Sequence, residues 1–310
     1  MSRVVAWATC LMLLLVAGLG EAQPAGSAPL TSDVRFAGAV GFRLRTSSDD
    51  KGQVAVALTR VDSKLASIGQ PIELYRGARV RTALAVRPDA VLVGLLQGGL
   101  RPTVRFSLVR LGPDGAPQGQ PVALDATARR TANDSTPTAV VACPEPDGFT
   151  VLWQEQSTRA PGAEARTYLG RISADGRWLA PATVVPIPWA LGALVRSGAG
   201  YHLAVYYDGS RPDQTRLCFV TLSAAGQPEQ HPWWVTPPEM IDEVQLQANG
   251  AGVVVYYRGG ANGTSLRSVR VTTPGQWGTE PPAPTDQGSI APGEDYSLRV
   301  AANGEVELLR

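Results

Sequence analysis

Three observations predict an all-β protein assembled from repeated small sheets. Short runs rich in Val, Leu and Tyr are broken by Gly, Pro, Asp and Asn every ~8–12 residues. A strand–turn–strand pattern recurs in order along the chain. No long window carries helical periodicity, and 33 glycines with 25 prolines suit many turns and few helices.

The N-terminus stands apart. Arg3 precedes an apolar run from Val4 to Leu19, and Gly20-Glu21-Ala22 offers small residues at the −3 and −1 positions of a cleavage site. Residues 1–22 therefore read as a secretory signal peptide, followed by a flexible stretch over 23–32 and one domain over 33–310. The run is short for a membrane span, and no later stretch is long enough to cross one, so no span is expected after cleavage. A secreted or periplasmic protein is expected.

The first recurring unit is a strand, a tight turn and a strongly apolar strand. It runs from Arg79 through Arg87-Pro88-Asp89 to Val91–Leu95. It returns at Thr138–Trp153 around Pro144–Gly148, at Leu191–Tyr206 around Gly198-Ala199-Gly200, at Glu243–Tyr257 around Asn249–Gly252, and at Tyr296–Arg310 around Asn303-Gly304. The second strands start at Val91, Phe149, His202, Val253 and Val306, at spacings of 58, 53, 51 and 53 residues. A second unit, again two strands about a Gly turn, follows each of the first four: Phe106–Leu124, Tyr168–Val185, Leu217–Val235, and Leu266 to a weak end near Pro281-Pro282. One more copy, Val54–Leu74, stands alone near the N-terminus.

A period near 50 with several short strands per unit is the pattern of β-propeller blades. The orphan N-terminal pair can complete the orphan C-terminal pair in one mixed blade, which closes a five-bladed ring and hides its edges. Asp33–Leu44 is also strand-like and has no place in that count. It leaves a six-bladed ring as the alternative.

The best-formed copy is the strand Asp147-Gly148-Phe149-Thr150-Val151-Leu152-Trp153 with the later stretch Ile172-Ser173-Ala174-Asp175-Gly176-Arg177-Trp178-Leu179-Ala180-Pro181. Here the chain resembles the propeller-type repeats of secreted bacterial protein families. The likeness is strict only over 147–181. It implies turns and cores, hence a fold, and no particular activity.

In a four-stranded blade the connections between second and third strands, and between one blade and the next, emerge on one face. The longer polar connections are all of this kind: 97–103, 154–166, 208–215 and 258–265 within blades, 125–135 and 285–295 between them. A binding surface is expected there. Its candidates are Arg101, Arg130, Trp153, Glu155, Tyr207, Asp208, Arg211, Tyr257 and Arg258, since aromatics beside forked guanidiniums and carboxylates suit a sugar or a peptide. Trp153, Tyr206 and Tyr257 fall at matching repeat positions, which favours packing between blades over ligand stacking.

Catalytic signals are weak. His202 and His231 lie in different repeats without metal-ligand spacing, and His202 sits in an apolar strand. No Gly-x-Ser-x-Gly elbow occurs. Glu145, Asp147, Glu155, Asp208, Asp242 and Glu243 could furnish a carboxylate pair, though no glycosidase signature frames them. No catalytic residue, metal ligand or cofactor is assigned. A net charge of +1 argues against nucleic acid or anionic membrane as the main partner. The leading expectation is a monomeric binding module for a glycan or an extracellular or envelope protein. A carbohydrate-active hydrolase or lyase and a structural part of an envelope assembly are the rivals. Cys143 and Cys218, in an exported chain, form either a disulfide or two buried thiols.

Overall fold

The computed structural model describes residues 31–98, 102–126, 135–157, 165–207, 214–241, 243–248, 252–260, 264–272, 280–290, 294–300 and 305–310. Among these there is no α-helix. Five four-stranded antiparallel sheets follow one another. Blade 1 holds β1 (Thr31–Ala37), β2 (Val40–Ser48), β3 (Val54–Val61) and β4 (Ser67–Gly77). Blade 2 holds β5 (Val80–Val86), β6 (Ala90–Gln97), β7 (Thr103–Leu111) and β8 (Pro117–Asp125). Blade 3 holds β9 (Ser135–Glu145), β10 (Gly148–Ser157), β11 (Arg166–Ser173) and β12 (Thr183–Val185). Blade 4 holds β13 (Ala190–Ser197), β14 (Gly200–Tyr207), β15 (Arg216–Leu222) and β16 (Trp233–Trp234). Blade 5 holds β17 (Glu243–Ala248), β18 (Val253–Gly259), β19 (Ser265–Val271) and β20 (Thr285–Ser289). The hairpin β21 (Ser297–Val300) and β22 (Val306–Leu309) is a sheet of its own. The first strand of each sheet touches the first strand of the next, and β21 touches both β17 and β1. The result is a five-bladed β-propeller with a two-stranded hairpin between its last blade and its first.

The second strands explain why blades stack. Successive side chains on a strand point to opposite faces. In β6, Ala90, Leu92 and Leu96 enter the layer shared with blade 3, while Val91, Val93 and Leu95 enter the layer shared with blade 1. β10 divides likewise: Phe149, Val151 and Trp153 face blade 2, and Leu152 faces blade 4. Buried on both sides, these strands read as continuous apolar runs. Each such side chain contributes roughly 1.5–3 kcal/mol. Trp153 is 1% exposed and stacks on Tyr168 at 5.3 Å. His202 lies parallel to Phe219 at 5.8 Å in the same kind of layer, and burial lowers its pKa.

The mixed blade expected from the sequence does not form. Val54–Val61 pairs with β2 in unbroken register from Gly41↔Val61 to Ser48↔Val54, so the segment left without a place supplies the inner half of blade 1. The reason is proximity along the chain: a short turn after Ser48 makes the pairing local, whereas the mixed blade needs partners from opposite ends. The C-terminal hairpin keeps its place in the ring without outer strands.

Blades are also locked at their third-to-fourth-strand turns. Those of blades 2, 3 and 4 share one geometry, with Gly115, Gly176 and Gly226 accepting left-handed φ values of 73°, 83° and 78°. Each packs on the preceding blade; a Cβ on Gly226 would lie 2.5 Å from Leu169. Blade 1 has the same turn with Leu65 at φ 61° in place of glycine. Its predecessor in the ring is the two-stranded hairpin, so no outer strand crowds the turn. Leu65 fills that space against Val34 and Val61, in a cluster that includes Leu309. Burial of its side chain offsets a left-handed backbone cost of about 1 kcal/mol.

Two reciprocal substitutions test this account by thermal denaturation. Gly226→Ala is expected to destabilise by about 1–3 kcal/mol through clash and backbone strain. Leu65→Gly, which relieves the same strain, is nevertheless expected to lower the midpoint because the seam loses its filler.

Candidate functional site

On the loop face, Arg101, Arg130, Asp208 and Arg211 lie outside the described residues. The rest of that set is largely engaged in the fold. Trp153 is in the layer between blades 2 and 3, and its Nε1–H donates to Glu155 at 3.2 Å. Glu155, 1% exposed, also accepts from the Ser135 hydroxyl. Tyr257 is fully buried and donates to Glu239 at 2.7 Å. Glu239, which the sequence did not single out, also accepts from Gly260 N–H and Arg267, each at 2.7 Å. Burial, then the Glu239 carboxylate, push the Tyr257 phenol well up. Arg258 is buried and pairs with Glu243 at 3.5 Å. Tyr207 is the exposed member.

The opposite face, carrying the tight turns, holds two adjoining cavities. One, of about 470 Å³, lies between blades 3 and 4 and is lined by Glu145, Pro146, Asp147, Arg171, Leu179 and Tyr201 among others. The second, of about 620 Å³, crosses the turns of blades 1, 2 and 3 and is lined by Phe36, Val86, Arg87, Pro88, Asp89 and Pro144, among others. Glu145, Pro146 and Arg196 belong to both, so the two form one groove.

Glu145 organises the ridge between them. It ends β9, where the chain turns through Pro146-Asp147 into β10. Its Oε1 accepts from Thr150 Oγ1 at 2.8 Å, and its Oε2 pairs with Arg196 Nη1 of the next blade at 2.8 Å. Thr150 Oγ1 in turn meets the Tyr201 hydroxyl at 2.9 Å. Burial and the neighbouring Glu145 raise the Tyr201 pKa, so it is a neutral phenol. Arg87 holds Asp89 through two bonds of 2.8 and 3.0 Å and donates to the Glu145 carbonyl. Most charges here are thus neutralised in place. The apolar ledge is the exposed remainder: Pro88, Pro144, Pro146 and Leu179, the last 52% exposed. Among the described residues no group of three or more His, Cys, Asp and Glu could hold a metal ion.

Sequence reasoning named Glu145 and Asp147 only as available carboxylates and favoured the other face. One signal was present. The turns Arg87-Pro88-Asp89 and Pro144-Glu145-Pro146-Asp147 carry charge and proline where the equivalent turns of blades 4 and 5 carry Gly, Ala and Asn.

No family model matches the chain, and no curated protein matches it in sequence. Solved structures do match in shape. A mutant of Trypanosoma rangeli sialidase displaying trans-sialidase activity aligns at TM-score 0.55 and 10% identity, over 92% of this chain and 54% of that one. The ectodomain of the parainfluenza virus 5 hemagglutinin-neuraminidase aligns at 0.45 and 10% identity, over 67% of this chain and 55% of that one. A GH43_1 enzyme from Xanthomonas citri complexed with xylose aligns at 0.44 and 12% identity, over 91% and 93%. The chain spans about half the length of the first two. The sialidase likeness shows the propeller fold alone.

The candidate disulfide is not formed: Cys143 and Cys218 are free, buried thiols in the layer between blades 3 and 4. Cys143 is on the innermost strand of its blade and Cys218 on the third strand of the next. Two strand spacings put them roughly 10 Å apart radially, beyond the ~7 Å that a disulfide spans between Cα atoms. Burial pushes Cys143 well above its usual pKa and Cys218 up to about 12.

Two outcomes follow. Ellman's reagent at pH 8 is expected to label neither thiol in the native protein and both after unfolding in guanidinium; absence of thiol in the unfolded chain would reveal a bridge. Glu145→Ala, which strands Thr150 and Arg196, is expected to cost about 1–2 kcal/mol in denaturant titration, the half-exposed Arg196 contributing least.

Proposed function

We propose that this chain is an extracytoplasmic interaction module that holds an extended polypeptide segment in the groove of its tight-turn face. The signal-like N-terminus supports the compartment; no helix among the described residues is long and apolar enough to cross a membrane. One observation carries the ligand reading: a groove shared by two cavities, floored by ion pairs already satisfied and rimmed by exposed prolines and Leu179. Such a surface buries apolar side chains along a line. Sugar sites instead present aromatic faces to stack on. Of the rings lining the groove, Phe149 is 1% and Tyr201 3% exposed, which leaves the half-buried Phe36 at its far end.

A hydrolase would need two carboxyl groups free to exchange protons with a substrate. Both oxygens of Glu145 are engaged, which leaves Asp147 alone in the cavity. The fold shared with glycoside hydrolases does not supply the missing partner.

Arrays of extended peptides and of glycans, probed with the purified protein, test the reading. Binding to peptides is expected, weakened about tenfold or more by Leu179→Arg or Pro146→Arg and unchanged by Tyr207→Ala on the other face. Binding confined to glycans, or lost with Tyr207→Ala alone, would overturn it.

A further inference from the structure

The groove's two ends differ in charge. Across the ridge and the second cavity, each guanidinium has its carboxylate: Arg87 with Asp89, Arg196 with Glu145. In the cavity between blades 3 and 4 this breaks down. Arg171 lines that cavity and is exposed, and its partners among the described residues are neutral, the Ala224 carbonyl at 2.6 Å and the Tyr201 hydroxyl at 3.4 Å. Both bonds use Nη2, so Nε and Nη1 keep three N–H groups without a partner among the described residues. Asp147 lines the same cavity, is exposed, and has no side-chain hydrogen bond or ion pair among the described residues.

The two lie apart along one sheet. Arg171 is opposite Thr150 in the register of β10 and β11, three residues beyond Asp147. At ~3.3 Å per residue, roughly 10 Å separates their backbone positions. They form no ion pair with each other among the described residues, and lie close enough for one short segment to meet both. Leu179, whose N–H donates to the Arg171 carbonyl at 2.9 Å, sets an apolar contact beside them.

We propose that this cavity selects a charge-bearing part of the bound polypeptide, a carboxylate seated on Arg171 and a cationic group on Asp147. This rests on the peptide reading above and names the chemistry that reading leaves open. Nη2, which both bidentate edges of a guanidinium share, is held by Ala224 and Tyr201, so Nε–H and Nη1–H each offer a carboxylate a single charge-assisted hydrogen bond. Asp147 accepts from an ammonium or guanidinium a few residues away. The carboxylate can be an Asp or Glu side chain or a C-terminus, and the cation a Lys or Arg side chain or an N-terminus.

Arg171 has a structural duty that any test must separate from recognition. Its bond to Ala224 ties blade 3 to a turn of blade 4. Arg110 makes the same tie one blade earlier, to the Asp175 carbonyl at 2.8 Å, and lines neither cavity. Arg110→Gln is therefore the matched control for loss of a clamp.

The probe is a positional-scanning library of octapeptides, acetylated and amidated, with parallel sets carrying a free N- or C-terminus. Wild-type protein is expected to favour Asp or Glu at one position and Lys or Arg a few residues away. Arg171→Gln is expected to weaken acid-bearing peptides about tenfold and erase the acidic preference, and Asp147→Asn to erase the basic one. Arg110→Gln should leave both intact at a similar thermal midpoint. Preference that persists only in the free-terminus sets assigns the charge to a chain end. Peptides bound with no charge preference, or with a preference that survives Arg171→Gln and Asp147→Asn, overturn this proposal alone. No peptide binding at all overturns the groove reading beneath it.

Discussion

Ring closure is the constraint on which the rest of this structure depends. Every blade is a sheet whose two faces are buried by its neighbours, so a single open seam would expose two apolar layers at once. The five complete blades leave one gap, and the two strands of the C-terminal hairpin fill it. Its hold on blade 1 is polar and specific. Asp295 receives Arg43 at 2.6 Å, Arg45 at 3.0 Å and the Ser32 hydroxyl, while Ser297 Oγ donates to the Val34 carbonyl at 2.6 Å. Arg43 is buried, so removing either partner of that pair would leave an uncompensated charge in the seam.

The hold on blade 5 is of another kind. Tyr296 and Leu298 pack on Val254 and Tyr256, and Leu266 and Ile290 complete that small cluster. Buried polar atoms without a hydrogen-bond partner among the described residues lie at both seams, Arg43 Nε beside blade 1 and three groups here. The Gln245 amide, the Tyr296 hydroxyl and Arg258 Nε are all buried without a hydrogen-bond partner among the described residues. A buried polar atom without a partner costs about 1–3 kcal/mol of the packing gained around it. The hairpin is thus clasped by ion pairs on the first blade and held on the last mainly by packing, with Arg310 donating to the Gln287 carbonyl.

What was legible in the sequence follows from how local each feature is. Hairpins are set by neighbours in the chain, and turns such as Arg87-Pro88-Asp89 and Pro144–Gly148 mark them, so the repeat and the propeller could be read directly. The two-faced burial of β6 and β10 was legible as unbroken apolar runs. Closure was misread because it depends on which end pairs with which. Val54–Leu74 and Val306–Leu309 look like halves of one blade until Val34, Phe42 and Leu44 are seen to give the N-terminal pair its own inner strands. The roles of Trp153 and Tyr257 as packing residues were legible from their matching repeat positions. Glu239, which holds Tyr257, was not, because nothing in a connecting segment marks the carboxylate that a distant phenol will find.

The groove was hidden for a related reason. It belongs to no single turn; it arises where the first turns of neighbouring blades meet, and it is defined by pairings between blades, Glu145 with Arg196 above all. Sequence reasoning judged faces by loop length, and the longer connections pointed to the other side. Length measures freedom to vary, however, whereas a site also needs fixed walls. Short turns anchored at strand ends supply them: Glu145 closes β9, Asp147 precedes β10, and Arg171 is held by a carbonyl of the next blade. Because that last contact bridges two blades, whatever occupies the cavity also touches a seam of the ring. Recognition and interblade packing then share one side chain, and a ligand bound at Arg171 would add to the cohesion of blades 3 and 4 without touching the hairpin that closes the circle.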